Sequence, residues 1–275
     1  MDDGPSISAM GSAVLRAQHV REDPPPWVLE DTESVRLLTE QQERAIVNSM
    51  AEWPSQVRSG FRLVHAVRAR VAEDVAVRGI EEGRRDYVIL GAGLDSFSWR
   101  HPRASELTIW EIDHPNTQKW KQAALRRLDK DITADVRYIP VDLTSRTLAD
   151  VDLPRTATWN WLGVTMYLSK SDIDEVLRCV VDTGPGTVLV ANFLLAAEER
   201  DALGEAVQSS AASVLKQTGE PIKATFTKEE IQQTMSDAGF ANVEVLDGHH
   251  LQDRFLSGRP ELRVPLSTVI VIATV

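Results

Sequence analysis

Hydrophobic and polar positions change their spacing near residue 85 of the chain. Before that point apolar residues recur every three or four positions among charged neighbours, for example over 61–75, and this period is typical of amphipathic helices. Prolines at 24–26 and at 54 interrupt the pattern, because proline lacks an amide donor and disfavours helical backbone in the residue before it. Residues 1–85 are therefore predicted to form a helical N-terminal extension.

Short apolar runs alternate with helical segments after residue 85. Helical spacing is found at 115–128 and 171–181, between the runs. The first five runs are 87–90, 107–110, 136–139, 156–159 and 187–190. Strands that alternate with helices predict a parallel sheet covered on both faces. Two further runs, 242–246 and 267–273, are joined without room for a crossover helix, so the last strand is predicted to be antiparallel.

These elements predict an α/β fold, a doubly wound seven-stranded sheet over residues 86–275 that follows the helical extension 1–85. A further helical segment, at about 196–226, is inserted between the fifth and sixth strands. Insertions at such places often lie over the carboxyl edge of the sheet, where doubly wound folds bind ligands. Both helical segments are candidate lids over a binding site.

Composition narrows the range of partners. The chain of 275 residues has 30 Lys and Arg against 41 Asp and Glu, a formal net charge of −11. Nucleic-acid-binding proteins present basic surface to phosphates, so we expect no nucleic acid partner. The acidic N-terminus does not resemble a signal peptide, and no apolar run approaches the roughly 20 residues of a membrane span. The expectation is a cytoplasmic protein that acts on small molecules without a membrane partner, with its oligomeric state left open.

A Gly-x-Gly turn after the first predicted strand is the strongest local sign of a binding site. The run 87–90 leads into Gly91, Ala92 and Gly93. Glycine allows the chain to turn sharply and a ligand to approach the backbone closely. Asp113 ends the next predicted strand about 20 residues later, the spacing at which an acidic side chain binds the hydroxyl groups of an adenosine ribose.

Two classes of ligand use such a turn, dinucleotides and S-adenosylmethionine. A dinucleotide needs a helix N-terminus for its pyrophosphate, usually with a third glycine at the position that Ser96 occupies here. The turn also carries Asp95, whose charge opposes a pyrophosphate and tolerates the sulfonium of S-adenosylmethionine. The charges favour S-adenosylmethionine and disfavour a nicotinamide-dependent oxidoreductase.

Four motifs in this region resemble those of the leucine carboxyl methyltransferase-like enzymes, which include actinobacterial S-adenosylmethionine-dependent O-methyltransferases of secondary metabolism. The motifs are LGAGLD at 90–95, WEIDHP at 110–115, PVDL at 140–143 and LGVTMYL at 162–168. They occur in the family's order at the ends of successive predicted strands. The resemblance implies the class I methyltransferase (Rossmann-like) fold, with S-adenosylmethionine as cofactor and S-adenosylhomocysteine as product.

Carried over position by position, the resemblance also implies a set of cofactor-binding residues. They are Arg70, Gly91, Ala92, Gly93, Asp95, Asp113, His114, Asp142, Leu143 and Leu162. In this set the glycine turn contacts the methionine part and Asp113 holds the ribose. Asp142 and Leu143 match the pair that brackets the adenine.

One of these positions has an alternative in the alignment, and another departs from the family pattern. Arg70 matches an arginine that pairs with the methionine carboxylate, and Arg68 is the alternative because the alignment is loose there. A guanidinium suits this role because it donates two parallel hydrogen bonds. Many relatives have Glu near the cofactor's amino group where this chain has Leu162. The amino group is then expected to find other acceptors, such as backbone carbonyls around Gly91 or Leu162.

The catalytic group is the part that the sequence determines least. A carboxylate acceptor needs no base, whereas an alcohol or phenol benefits from one. His250, on a turn after the sixth strand, and Tyr167, in the last motif, are the candidate catalytic residues. His65 and His19 lie in the helical extension and are expected to be structural. No set of His, Cys or carboxylate residues has the spacing of a metal site.

The resemblance and the motifs together predict an S-adenosylmethionine-dependent O-methyltransferase that acts on a carboxylate or hydroxyl group of a small metabolite. The alternative, which Leu162 motivates, is a protein of this fold that binds the cofactor in a regulatory or non-methylating role. The acceptor itself is not predicted, because the family's substrate-facing residues come from the variable extension and insertion.

Overall fold

A computed structural model describes residues 5–130, 132–142, 148, 151–217 and 219–275. The α-helices in this part of the chain are α1 (Ile7–Glu22), α2 (Glu40–Ser49), α3 (Ser55–Glu81), α4 (Phe97–Arg100), α5 (Pro115–Arg127), α6 (Lys170–Asp182), α7 (Ala202–Gln217), α8 (Lys228–Ala238) and α9 (Gly248–Phe255). The strands are β1 (Asp86–Leu90), β2 (Thr108–Asp113), β3 (Asp135–Pro140), β4 (Thr158–Trp161), β5 (Val188–Leu194), β6 (Asn242–Leu246) and β7 (Thr268–Thr274).

The seven strands form one sheet in the order β3-β2-β1-β4-β5-β7-β6. The first five strands are parallel, and β7 is antiparallel to both of its neighbours, β5 and β6. Apolar clusters cover both faces of the sheet, one with side chains of α6 and α8 and the other with side chains of α3 and α9. This confirms the predicted doubly wound α/β fold with seven strands and an antiparallel last strand.

Two local expectations were wrong. The fourth strand begins at Thr158 and not at 156, because Thr156 has a left-handed φ of 57° that a strand cannot accommodate. The connection between β6 and β7 does contain a helix, α9. The antiparallel pairing survives because neighbouring antiparallel strands need no crossover, so α9 packs beside the sheet as part of the connection.

The helices of the N-terminal region extend over one edge of the sheet. With 27 residues α3 is about 40 Å long, whereas the five residues of β1 span only about 17 Å. A tight turn joins α3 to β1, so the N-terminal half of α3 extends beyond the carboxyl ends of the strands. There α1 and α2 pack on one side of α3, and α7 packs at Gly60, whose missing side chain leaves room for Val207. A space bounded by strand ends and by four helices results.

Among the described residues, no helix combines the length and the apolar character that crossing a membrane requires.

Candidate functional site

A cavity of about 700 Å³ occupies the space between the strand ends and the helices. Its floor is formed at the carboxyl ends of β1 to β4, where Gly91, Asp113, Asp142 and Leu162 all line it. Side chains of α1, α2, α3 and α7 form its walls and roof. The order of the strands reverses between β1 and β4, and this is the place where doubly wound folds bind ligands.

The glycines of the turn are required by contacts within the protein that the sequence did not show. Gly91 has a φ of 73°, and a Cβ atom there would lie 2.3 Å from Cγ2 of Val164, in the loop after β4. Gly93 has a φ of 48°, and its Cβ would lie 3.2 Å from Cβ of Ala9 in α1. Contact with Val164 alone therefore excludes a side chain at Gly91. A ligand that approached the turn would be a second reason for glycine there.

The helix after the turn is short. Ala92 and Asp95 close the turn through a hydrogen bond of 2.8 Å from the Asp95 amide to the Ala92 carbonyl, and Asp95 Oδ1 accepts from the Phe97 amide at 2.8 Å. The following α4 has only four residues, so its dipole and its free amides offer little to a pyrophosphate. Both side chains line the cavity, as the resemblance implied.

Three polar side chains meet at the ends of β2 and β3. Asp113 accepts a hydrogen bond from the amide of Gly93, and a second one of 2.6 Å from the amide of His114. Burial raises the pKa of Asp113, although both amide hydrogen bonds oppose the increase. His114 caps α5 through Nδ1, and its Nε2 lies 4.0 Å from Oδ2 of Asp142. The predicted residues Asp113, His114 and Asp142 are thus brought together, whereas Leu143 lies outside the described residues.

A network of charged side chains connects the glycine turn to α1 and α3. Arg16 of α1 donates to the carbonyl of Leu94 at 3.0 Å and to Asp31 at 2.8 Å. Arg100 lies 3.6 Å from Asp31 and also contacts Glu73 of α3. Burial tends to raise the pKa of Asp31, but Arg16 and Arg100 outweigh it and hold that pKa far below its usual range. The network ties the N-terminal helices to the glycine turn.

The two candidate arginines of α3 point in different directions. Arg70 is 43% exposed, donates to Asp74 at 2.7 Å and to the Val28 carbonyl at 3.0 Å, and does not line the cavity. Arg68 lines the cavity, where it donates to Ser12 Oγ at 3.1 Å. Residues two apart on a helix do not share a face, so only one of them can point inward. In this structure Arg70 does not line the cavity, whereas the alternative residue, Arg68, does.

Arg68 is a half-buried cation without an acidic partner among the described residues. Burial lowers the pKa of its guanidinium to about 10, with a further contribution from the charge of Arg16. The group still carries its charge at neutral pH. Its nitrogen atoms lie close to Gly163, where an added Cβ would be 3.1 Å away. The structure therefore presents an unneutralised positive charge to the cavity, beside the end of β4.

The two predicted catalytic residues have different surroundings. His250 is in the first turn of α9, where its Nδ1 lies 2.6 Å from the capping residue Asp247 and its side chain is 60% exposed. It does not line the cavity, because the segment after β6 is a capped helix and not a free turn. Tyr167 does line the cavity. Burial raises the pKa of Tyr167 to about 12, so its hydroxyl group stays protonated at neutral pH.

Three polar residues of the cavity were missed by the sequence analysis. His65 of α3 was expected to be structural, but it lines the cavity one helical turn before Arg68. Asn160 of β4 and Gln208 of α7 are 4% and 5% exposed, and each has a side-chain oxygen without a hydrogen-bond partner in the described part of the chain. The spacing of His65 and Arg68 on one helix face could have indicated the first of these.

No group of three or more His, Cys, Asp or Glu residues within the described ranges could hold a metal ion.

Comparisons with known proteins agree with this architecture. A sequence model of the leucine carboxyl methyltransferase family matches residues 9–181. YktD of Bacillus subtilis, a candidate S-adenosyl-L-methionine-dependent methyltransferase, is 26% identical over 288 residues, which cover 93% of each chain. A DUF574 family protein from Streptomyces avermitilis has a similar structure, with a TM-score of 0.59 over 96% of each chain and 14% identity.

An O-methyltransferase family protein from Burkholderia thailandensis also has a similar fold, with a TM-score of 0.50 and 15% identity over 94% of this chain and 66% of that one. At these identities the structural similarities establish the fold alone, whereas the family match covers more than half of the chain. The chain therefore belongs to the leucine carboxyl methyltransferase family and is an S-adenosylmethionine-dependent methyltransferase.

Proposed function

We propose that the protein transfers the methyl group of S-adenosylmethionine to an oxygen atom of a small molecule. The observation that carries this proposal is one continuous cavity of about 700 Å³, which joins the polar strand ends to an apolar region between α2, α3 and α7. A volume of this order is typical of small-molecule sites. It has to hold both the cofactor and the acceptor, so the acceptor is small.

The polar residues of the cavity match the polar groups of the cofactor. Arg68, a half-buried cation without an acidic partner among the described residues, suits the methionine carboxylate, because a desolvated carboxylate needs a fork of donors. Asp113 and Asp142 lie at the ends of neighbouring strands, where they suit the ribose hydroxyls and the adenine amino group. The glycine turn separates these two sets, as the methionine and adenosine parts require.

Asn160 suits the amino group of the cofactor. Its Oδ1 is a buried acceptor without a partner among the described residues, while its Nδ2 donates to the Tyr87 hydroxyl at 2.9 Å. A buried polar group without a partner costs about 1–3 kcal/mol, and an ammonium donor would remove that cost. Asn160 would thus take over from the acidic side chain that Leu162 replaces.

For methyl transfer the protein has chiefly to position the acceptor beside the cofactor and to keep water out of the cavity. The cofactor supplies a methyl group already activated by the positive sulfur. The cavity residues have to hold an oxygen atom about 3 Å from that carbon, in line with the sulfur, and this positioning contributes much of the rate. The helices α1 and α2 cover the site and limit the access of water. The similar fold of an O-methyltransferase family protein supports oxygen as the acceptor atom.

Calorimetric titration with S-adenosylhomocysteine tests the cofactor site. We expect binding by the wild-type protein and weaker binding by Asp113→Ala, by about 1.5–3 kcal/mol, because a hydrogen bond to a charged group is lost. This is a factor of roughly 10 to 150 in Kd. The matched control is Asp174→Ala on the exposed face of α6, which should bind normally. No binding at millimolar ligand would refute the proposal.

A turnover assay separates a transferase from a protein that only binds the cofactor. S-adenosylmethionine is incubated with the enzyme and a mixture of small hydroxyl and carboxylic compounds, and the release of S-adenosylhomocysteine is measured by mass spectrometry. A transferase releases product only when an acceptor is present. Tight binding without release from any mixture would favour the non-methylating alternative.

A further inference from the structure

We propose that the acceptor presents a neutral hydroxyl group, as a phenol does, and that His65 takes the proton of that hydroxyl group during methyl transfer. This inference rests on the proposed function and specifies its substrate class and its base.

The position of His65 follows from the geometry of α3. His65 precedes Arg68 by three residues on the same helix face, which is about 4.5 Å along the helix axis. The N-terminal half of α3 extends beyond the strand ends, so His65 lies farther from the sheet than Arg68 does. Phe61 follows one turn farther out on the same face, and all three side chains line the cavity. A cofactor whose carboxylate contacts Arg68 therefore leaves His65 at the boundary between the methionine part and the apolar region.

The ring of His65 is oriented for accepting a proton. Its Nδ1 lies 2.9 Å from the carbonyl oxygen of Phe61, so Nδ1 carries the hydrogen and Nε2 carries a free lone pair. The ring also packs edge-on against the Phe61 ring, at 4.7 Å between centroids and 88° between planes. His65 is only 7% exposed, and within the described part of the chain Nε2 has no hydrogen-bond partner. Both contacts fix the tautomer and the direction of the ring.

The charges around His65 keep it neutral in the resting protein. Burial lowers its pKa well below the usual 6.5, and the nearby cations Arg68 on α3 and Arg16 on α1 lower it further, whereas the hydrogen bond to Phe61 opposes them. A carboxylate paired with Arg68 would cancel one of these two cations. The imidazole would then become a stronger base when the cofactor is present.

The acceptor would bind in the apolar region of the cavity between α2, α3 and α7, called here the acceptor region. This region does not suit a carboxylate. Arg16 and Arg68 are the only arginine or lysine residues among the described side chains that line the cavity. Arg16 is paired with Asp31, and Arg68 is assigned to the cofactor. Near the acceptor region the carboxylate of Glu220 accepts from the amide of Ser8 at 3.2 Å, and its charge would repel an anion. A carboxylate acceptor would be buried without a cation, which costs several kcal/mol.

The walls of the acceptor region suit an apolar molecule that carries one polar group. These walls include apolar side chains of α2, α3, α7 and the turn between α2 and α3, namely Ile46, Met50, Trp53, Phe61, Val207 and Leu215. Gln208 of α7 adds a buried carboxamide whose Oε1 has no partner among the described residues. Mostly apolar walls with a few polar anchors are typical of sites for small molecules that are largely apolar.

The proposed step balances in atoms and in charge. The acceptor oxygen forms its bond to the methyl carbon while its hydroxyl proton moves to Nε2 of His65. The carbon–sulfur bond breaks and its electron pair stays on sulfur, which becomes neutral. One positive charge thus disappears from sulfur as one appears on the imidazole, so the cavity gains no net charge. The imidazolium then releases its proton to water when the products leave.

A matched pair of probes, β-naphthol and β-naphthoate, tests the acceptor class. They share the ring system and differ in having a neutral hydroxyl group or a carboxylate. In calorimetric titrations of the full chain saturated with S-adenosylhomocysteine, β-naphthol should bind at least about tenfold more tightly than β-naphthoate. Equal or tighter binding of β-naphthoate, or no binding of β-naphthol, would overturn the inference.

The variant His65→Gln tests the base. Glutamine keeps a polar acceptor of similar size but cannot take a proton, so β-naphthol should still bind within about threefold. The kcat for formation of the methyl ether should fall about 100-fold or more, the usual contribution of a general base. His249→Gln, on the exposed side of α9, is the matched control and should leave both measurements unchanged.

A spectroscopic measurement tests the same residue without turnover. Nitrogen NMR of histidine-labelled protein should show a neutral His65 at pH 7, with its hydrogen on Nδ1. A protonated ring at that pH, an unchanged kcat in His65→Gln, or β-naphthol that binds without being methylated by the wild-type enzyme would each overturn the role of His65. Those results would leave the proposed function intact as long as S-adenosylhomocysteine binds, and a wild-type protein that fails to bind it would refute the proposed function itself.

Discussion

The substitution Gly91→Ala probes the glycine turn most directly. Its new methyl group would lie 2.3 Å from Cγ2 of Val164, and the residue would have to keep a φ of 73°. A non-glycine residue in this left-handed region costs about 1–2 kcal/mol. Overpacking by a methyl group costs about 1–3 kcal/mol more, because the neighbouring loop has to shift. We therefore expect the free energy of unfolding to fall by about 2–5 kcal/mol.

A second glycine separates the two contributions. Gly83 has a φ of 87°, and no atom lies within 4 Å of the Cβ that it would carry. Gly83→Ala should therefore lose only the backbone part, about 1–2 kcal/mol. Removing the obstacle in the double variant Gly91→Ala with Val164→Ala should recover part of the overpacking cost, beyond the sum expected for two independent changes.

Urea denaturation of the wild type, Gly83→Ala, Gly91→Ala, Val164→Ala and the double variant, followed by circular dichroism, gives the free energies. Titration with S-adenosylhomocysteine should show weaker binding for Gly91→Ala but not for Gly83→Ala, because Gly91 and Val164 line the cavity and Gly83 does not. If Gly91→Ala costs no more stability than Gly83→Ala, or if Val164→Ala recovers nothing, contact with Val164 is not what requires glycine at this position.

Three further predictions follow from the cavity and from its supporting charges. Burial raises the pKa of Glu73 to about 7 from the usual 4.5, so its stabilising contribution is complete below pH 4.5 and is lost as the pH rises through 7; urea titrations should show this dependence in wild type and not in Glu73→Gln, and parallel profiles would contradict it. Arg68→Ala should weaken the binding of S-adenosylhomocysteine at least about tenfold, while Arg70→Ala leaves it unchanged. If calorimetry shows that Arg70→Ala weakens binding more than Arg68→Ala does, Arg70 is the arginine that binds the cofactor. Hydrogen exchange should show that S-adenosylhomocysteine adds protection within residues 10–75 and at 91–96 if the N-terminal extension acts as a lid, whereas protection at 91–96 alone would argue against a lid.

Several features of the fold could be predicted from local pattern alone. Alternating apolar runs and helical segments are enough to indicate a doubly wound sheet, since each element is specified by its own residues and by the need to bury its apolar face. The positions of Gly91, Asp113 and Asp142 could be predicted for the same reason. Each lies at or just after the carboxyl end of a parallel strand, and these ends meet at one edge of the sheet.

The direction of side chains on the helices over that edge was decided by tertiary packing. Both Arg68 and Arg70 are compatible with the sequence pattern, and only the packing of α3 against β4, α1 and α7 selects the face that lines the cavity. The surroundings of the histidines were decided in the same way. His250 becomes part of a capped helix and is exposed, whereas His65 is buried and lines the cavity.

The sequence by itself therefore determined the order of the elements, the family and the residues at the strand ends, because these depend on neighbours along the chain. The tertiary structure decided which helix faces point into the cavity, why Gly91 admits no side chain and which histidines line the cavity. These depend on contacts between segments far apart in sequence, such as Gly91 with Val164 or Gly60 with Val207. Periodicity along one helix identifies its apolar side but not the neighbour that each residue will meet.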